Sequence, residues 1–345
     1  MPVDFLAGET HYLDHLYPIW KALPGEERGS ILLAKVSPSS DWGSRLREHA
    51  IACGYEGCLA FSDSAHPRDA LAWLAGREGL VVTASVNDAR LAEKSRRPQV
   101  FCEHGAGQTY SSRHPSYAGG HSGRSQVRLF LCPNESVAAR NRQYYPGVES
   151  VVVGCPKLDA WHRAPRKQRS DPPVVAISFH WDAASVCPEA RWAYPHYRNH
   201  LVPVIRDERW RAVGHGHPRA LVALRSTYRR WGLPVLERFS EVLQQADVYV
   251  CDNSSTLYEF ASLNRPVVVL NAPWYRRGVE HGLRFWEAAN VGVQVDDPHD
   301  LSEAIALALR DAPAQRKARK AAVSLAYAYT DGNAAERAAE AILAC

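Results

Sequence analysis

The 345-residue sequence contains no apolar run approaching the ~20 residues that cross a bilayer, so a soluble protein is expected. Its opening stretch, MPVDFLAGETHYLDHL, has no basic leader and no long apolar core and carries acidic residues instead, which speaks against a signal peptide and for the cytoplasm. No C-x-x-C pair occurs. The eight cysteines, at 53, 58, 102, 132, 155, 187, 251 and 345, are scattered, as reduced thiols are and a disulfide framework is not. Neither a D-x-D pair nor an H-E-x-x-H helix is present, so no catalytic metal and no resident cofactor are expected. Charge of one sign is also scarce. A formal excess of +4 admits anionic partners without demanding them.

What is present is length, a 46% hydrophobic content and a repeated alternation of short apolar runs with helical spacing. A chain of this size exceeds what one core usually serves, so two domains are expected. Strands are expected at 2–7, 30–36, 59–61, 80–83, 100–102, 129–132 and 151–153. Helices are expected through Leu13, Leu16 and Ile19, at 44–53 with Ser44 as cap, at 68–74 and at 136–144. The stretch 156–173, with four prolines and many charges, is the best linker candidate. A second series follows: strands at 174–179, 210–214, 248–251, 267–270 and 291–295, and helices at about 190–205, 301–309 and 334–343. Asp300 and Glu303 are placed as a capping box. The expected division is 1–160, a linker at 161–173, 174–328 and a closing helix at 329–345. Both large parts are α/β, with mostly parallel sheets.

The second part is organised around Asp247 to Leu270, a strand, helix, strand unit. Asp252, Asn253, Ser254 and Ser255 lie between its first strand and its helix. Short polar side chains at a helix start, placed at the carboxyl end of a parallel strand, mark an anion site, and a phosphate fits there. Glu259, one turn further in, is placed to accept hydrogen bonds from ribose hydroxyls, the rival reading being a solvated surface charge. His215, His217 and Arg219 follow another strand end and suit a pyrophosphate leaving group; a zinc site is the rival for the two histidines. His180 and Asp182 follow the strand 174–179, with phosphate and sugar hydroxyls as their expected contacts. Trp274, Tyr275, Arg276 and Arg277 suit a base and its phosphates, or ordinary packing.

In the first part the strand rhythm stops after Glu103. The stretch EHGAGQTYSSRHPSYAGGHSGRSQ is rich in Gly, Ser and His, and a loop of this length inside an α/β domain is usually functional. His104 opens it, where an imidazole near its free pKa is placed to take a proton from an acceptor hydroxyl. Gly105 and Gly107 permit close backbone approach to a substrate. Gln108 and Arg113 complete the expected acceptor side.

Five short motifs occur in order: His104-Gly105; Gly154-Cys155-Pro156-Lys157-Leu158-Asp159; His217-Pro218; Asp252 to Ser255 with Glu259, Phe260 and Asn264 to Pro266; and Asp331-Gly332. In this the chain resembles the CDP-glycerol glycerophosphotransferase family, of the teichoic-acid polymerase type, and more broadly the GT-B transferases. The resemblance implies two Rossmann-like domains with parallel sheets facing an interdomain cleft, the acceptor on the N-terminal side and the nucleotide donor on the C-terminal side. It implies His104 as general base. The implied partners are a nucleotide-diphosphate donor, as substrate, and a hydroxyl-bearing acceptor, free or polymeric. The transferred group is glycerol phosphate in that family and a sugar in the wider fold. Departures exist: the family usually reads HGTP where this chain has His104-Gly105-Ala106-Gly107, and Tyr rather than Asn253 is common.

Three rival readings remain open. One is glycosyl transfer to hydroxymethylated DNA, resting on the charge of Arg113, His121, Arg124 and Arg128. Another is a nucleotide-sugar 2-epimerase, which needs acidic residues in the first domain that the sequence does not identify. The third is a non-catalytic nucleotide-binding protein.

Overall fold

The structure, a computed structural model, describes residues 1–34, 42–60, 67–106, 123–184, 191–252, 254–275 and 290–345. Gly107, Gln108, Arg113, His121, Asn253, Arg276 and Arg277 lie outside the described residues. The chain forms two compact units. Unit 1 comprises the described residues of Met1–Gly107, Ser112–Arg163 and Tyr327–Cys345, and unit 2 those of Ala164–Ala326.

Unit 1 alternates strands and helices: β1 (Val3–Ala7), α1 (Thr10–Ala22), β2 (Arg28–Leu33), α2 (Trp42–Ala52), β3 (Cys58–Ala60), α3 (Pro67–Ala75), β4 (Val81–Thr83), α4 (Val86–Lys94), β5 (Gln99–Cys102), β6 (Val127–Cys132), α5 (Glu135–Tyr144), β7 (Glu149–Val152) and α6 (Asp159–Arg163). The strands make one parallel sheet in the order β3-β2-β1-β4-β5-β6-β7. Alternate residues of each strand face opposite layers. Phe5, Ile31, Val82 and Val100 pack with Leu13, Leu16 and Ile19 of α1, while Leu6, Leu32 and Val81 pack with Leu74 and Leu91. Both faces are covered, so the strands read as continuous apolar runs.

Unit 2 contains β8 (Val174–Ser178), α7 (Tyr194–Tyr197), α8 (Leu201–Ile205), β9 (Arg211–Gly214), α9 (Pro218–Arg230), α10 (Phe239–Gln245), β10 (Val248–Cys251), α11 (Thr256–Ser262), β11 (Val267–Leu270), β12 (Val293–Val295), α12 (Leu301–Arg310) and α13 (Pro313–Ala326). Its sheet is also parallel, in the order β12-β11-β10-β8-β9. The last helix, α14 (Ala334–Ala344), returns to unit 1, where Ala338, Ala339 and Ile342 join the core beside α1. No helix among the described residues is long and apolar enough to cross a membrane.

Several local expectations are corrected. Ser44 lies inside α2 rather than at its cap. The helix expected over 190–205 is two short ones, α7 and α8, each carrying a proline, Pro195 and Pro203. Asp300 makes no side-chain cap, because its backbone is already helical (φ −82°, ψ −2°) at the end of the 3-10 turn Pro298–Asp300, and the Glu303 side chain pairs with Arg310. Five helices, α4, α6, α9, α10 and α13, escaped the reading of the sequence. The stretch 156–173 starts as a 3-10 turn, Pro156–Leu158, followed by α6.

Asp159, in that stretch, is 3% exposed, and its carboxylate accepts from the amides of Ala334 (3.0 Å) and Ala335 (2.7 Å) at the start of α14. A buried carboxylate here satisfies two of the helix's orphan donors. Gly154 takes φ +96°, and a Cβ there would stand 3.3 Å from Ala334 Cβ and from Tyr329 O. Asp159→Ala is expected to lower the stability of unit 1 by about 2 kcal/mol, read as a lower urea midpoint at unchanged m-value. An unchanged midpoint would remove this cap from the account.

Candidate functional site

In a parallel sheet the first strand's neighbours are reached by connections running in opposite directions, which opens a crevice at the strands' carboxyl ends. In unit 1 that point lies between β1 and β4. Gly8 to His11 leave β1 there and Ala84 to Asp88 leave β4, with His104 following β5 next door. His104 is half-buried, and its Nδ1 stands 2.5 Å from the Ala84 carbonyl. A carbonyl only accepts, so Nδ1 carries the proton and Nε2 keeps its lone pair. Burial, reinforced by Arg124 and Lys157, outweighs Glu103 and the Ala84 bond and lowers the pKa of His104. The imidazole is therefore neutral at pH 7 and presents a basic nitrogen.

Around it stand residues that the sequence reading passed over. Tyr12 packs edge-on at 4.8 Å between ring centroids, with His11 at 6.0 Å and His15 at 6.3 Å. His15 is buried; burial, then Lys157 and His104, hold its pKa well below the usual value. Cys155 Sγ stands 3.9 Å from His15 Nδ1. The available signal was the His11, His15 spacing of i and i+4, which puts both on one face of α1. Gly105 adopts φ +80°, where a side chain would be strained, so the His104-Gly105 pair is a backbone requirement.

In unit 2 the corresponding crevice lies between β8 and β10. His217 is the N-cap of α9, and its Nδ1 accepts from the Arg219 amide at 3.2 Å. An amide only donates, so the proton of neutral His217 sits on Nε2, the opposite tautomer to His104. His180 lies 5.2 Å from His217 between ring centroids, and the Arg219 guanidinium lies 4.9 Å over the Trp181 ring. These four side chains form a basic, aromatic group beside the amino end of a 13-residue helix, a favourable place for an anion.

Other predicted donor residues are used differently. Asp252 is fully buried and its two oxygens accept from the amides of His180 (2.6 Å) and Ala193 (2.9 Å), so it fixes loops instead of facing a ligand. His215 is buried, with Nδ1 2.9 Å from Leu236 O and its ring against Phe239. It belongs to the core. Asp182 is exposed and caps a turn through the Ala184 amide at 3.2 Å. At α11 the first amides are already bonded: Thr256 to Ser254 Oγ, Leu257 to Ser254 O, and Tyr258 and Glu259 to Ser255 O. Ser255 is the N-cap without a side-chain bond, and Glu259 is 2% exposed, not a solvated charge. With only seven residues in α11, the anion-binding expectation moves to the side chains of His180, His217 and Arg219 beside α9, whose own first amides are likewise bonded to His217. Tyr275 is buried, and Trp274 donates its indole N–H to Arg191 O. Arg124 is buried between Glu103 (3.7 Å) and the Phe101 ring (4.3 Å), which takes it out of any phosphate-tracking surface.

Unit 1 also contains the acidic group that the sequence did not identify. Asp88, 1% exposed, accepts from the Gly8 amide at 3.2 Å through Oδ2, while Oδ1 has no hydrogen-bond partner among the described residues. Burial, helped by the charge of Glu9, raises its pKa to about 7 against the Ser85 and Gly8 bonds. A carboxyl raised in the folded state is neutral at low pH without cost and must ionise in the fold as pH rises. Its penalty is absent below about pH 4 and grows through pH 7. Asp88→Asn is therefore expected to stabilise the protein at pH 8, by about 2–4 kcal/mol on the linkage relation, with little change at pH 4. Chemical denaturation at both pH values measures this, and an equal effect at both would refute the assignment.

Residues 233–344, about a third of the chain, match the family model described as CDP-Glycerol:Poly(glycerophosphate) glycerophosphotransferase. A search of curated proteins found no match. Among solved structures the chain is similar to S. aureus MnaA in its UDP co-structure, with TM-score 0.63 and 14% identity over 97% of this chain and 94% of that one. It is similar to the wall teichoic acid polymerase TagF, with TM-score 0.62 and 13% identity over 99% and 88%. It is also similar to UDP-GlcNAc 2-epimerase from Neisseria meningitidis bound to UDP-GlcNAc, with TM-score 0.62 and 13% identity over 100% of both chains. At these identities the structural likeness shows the fold, which is GT-B type. With that fold and the match over its C-terminal third, the chain resembles the CDP-glycerol glycerophosphotransferases.

Proposed function

We propose that the protein transfers a glycerophosphoryl group from CDP-glycerol to an acceptor hydroxyl, the terminal hydroxyl of a poly(glycerophosphate) being the acceptor that the matched family's description favours. The observation that carries the reading is the opposite tautomers of two histidines: His104 presents a basic Nε2 and His217 an Nε2–H donor. Activation of an acceptor hydroxyl uses the first, and stabilisation of a leaving phosphate the second. In the proposed step the acceptor O–H bond breaks as its oxygen bonds to the glycerol-side phosphorus, the proton passes to His104, and the phosphoric anhydride bond breaks to release CMP. His217 and Arg219 bind the charge that builds on the leaving phosphate, a task that requires no metal. A cytoplasmic location belongs to the same proposal, in keeping with cysteines that form no disulfide among the described residues.

A sugar 2-epimerase is the second reading, favoured by Asp88 and Glu9, buried acids at the same strand ends as His104. Deuterium uptake at C2 of UDP-GlcNAc without any acceptor would select it.

His104→Ala is expected to lower kcat for CMP release by about 10²–10⁴-fold while the melting temperature and nucleotide binding persist. Because His104 is deprotonated below its ordinary pKa, the acidic limb of kcat/KM should lie below about pH 6.5. An unchanged rate in the variant, or a limb above pH 7, would remove His104 as base.

A further inference from the structure

Away from the His104 cluster, unit 1 brings together three side chains of different donor chemistry. Asp14 comes from α1; His49 and Cys53 come from the end of α2, four residues apart, with the Cys53 amide bonded to the His49 carbonyl at 2.9 Å so that the helical spacing holds. His49 Nε2 lies 2.6 Å from Asp14 Oδ1 and 3.7 Å from Cys53 Sγ, and the three potential ligand atoms all lie within 4.8 Å of one another. Tyr55 OH donates to Asp14 Oδ1 at 2.9 Å, and its ring stacks on Tyr17 at 4.1 Å. The three groups are partly buried, with 9% of the His49 side chain and 17% of that of Asp14 exposed, so solvent reaches the site without flooding it.

We propose that Asp14, His49 and Cys53 form a binding site for a divalent transition metal, Zn²⁺ by donor chemistry, that ties α1 to α2. A thiolate, an imidazole and a carboxylate are the zinc set, and the thiolate selects against Mg²⁺ and Ca²⁺, which take oxygen ligands. Bonds of about 2.0–2.3 Å in a tetrahedron set neighbouring ligands roughly 3.2–3.8 Å apart. The His49–Cys53 pair already meets that spacing, and the His49–Asp14 pair must open by about half an ångström. Water supplies the fourth ligand. On binding, the metal replaces the proton shared by His49 and Asp14 and the proton of the Cys53 thiol, both released to solvent. The charges of Asp14 and the thiolate then neutralise the ion, against the opposing charge of Lys157, which reaches Asp14.

The consequence is mechanical. Asp14 sits on α1 between His11, Tyr12 and His15, which pack around His104. A metal fixed to Asp14 clamps the helix that carries those rings, without taking part in the transfer.

The test is a Co²⁺ titration of the full chain, stripped with a chelator and kept reduced. One equivalent should bind with tetrahedral ligand-field bands and a thiolate-to-cobalt charge-transfer band, and Zn²⁺ should abolish both. Cys53→Ser should lose the charge-transfer band, and Asp14→Asn should bind at least about tenfold more weakly. Cys58→Ser and Cys345→Ser should behave as the unaltered chain. Zn²⁺ should also raise the melting temperature of the unaltered chain and not of Cys53→Ser. Absence of Co²⁺ uptake, a charge-transfer band that survives Cys53→Ser, or its loss in either control variant would overturn the assignment.

Discussion

Parallel pairing of the strands is the constraint on which the rest depends. Each strand is followed by a crossover that leaves the sheet at its carboxyl edge, so the connections carrying Gly8 to His11, Ala84 to Asp88 and His104 share one edge of unit 1, and those carrying His180 and His217 share one edge of unit 2. Backbone carbonyls and amides at those edges then decide what the side chains present. The Ala84 carbonyl leaves neutral His104 with its lone pair on Nε2; the Arg219 amide leaves neutral His217 with its proton on Nε2. Neither assignment requires a charged neighbour, and both follow from which backbone group each ring nitrogen meets.

A second theme is the use of buried carboxylates as struts. Asp252 holds the backbones of His180 and Ala193, and Asp159 holds the first turn of α14. Asp4, fully buried, accepts from both Arg77 and Arg97 across unit 1. In each case the carboxylate is satisfied by donors, as burial demands. Asp88 departs from the pattern in that one oxygen has no hydrogen-bond partner among the described residues, and burial raises its pKa to about 7. Groups held at such a cost tend to mark sites where chemistry is done.

The sheets were legible because strands buried on both faces read as short continuous apolar runs; Val267–Leu270 and Val174–Ser178 are nearly pure examples. The polar helices were less legible. α4 buries Ala89, Leu91 and Ala92, too narrow an apolar face to stand out, and Asp88 was missed with it. Asp252 read as a ligand residue because a short acid before a helix is a good cap; that its oxygens would meet amides from residues 180 and 193 depends on pairings across 59 and 72 positions. The grouping of His11, Tyr12 and His15 around His104 is likewise a contact across some ninety residues of sequence.

The central claim is that unit 2 binds a cytidine diphosphate donor through His217 and Arg219. Calorimetric titration with CDP-glycerol and, separately, with UDP-GlcNAc tests it most directly, on the unaltered chain and on His217→Ala. The account predicts selective binding of CDP-glycerol, weakened at least about tenfold in the variant, as the loss of one hydrogen bond to a charged group implies. Selective binding of UDP-GlcNAc, or equal affinity in the variant, would contradict it.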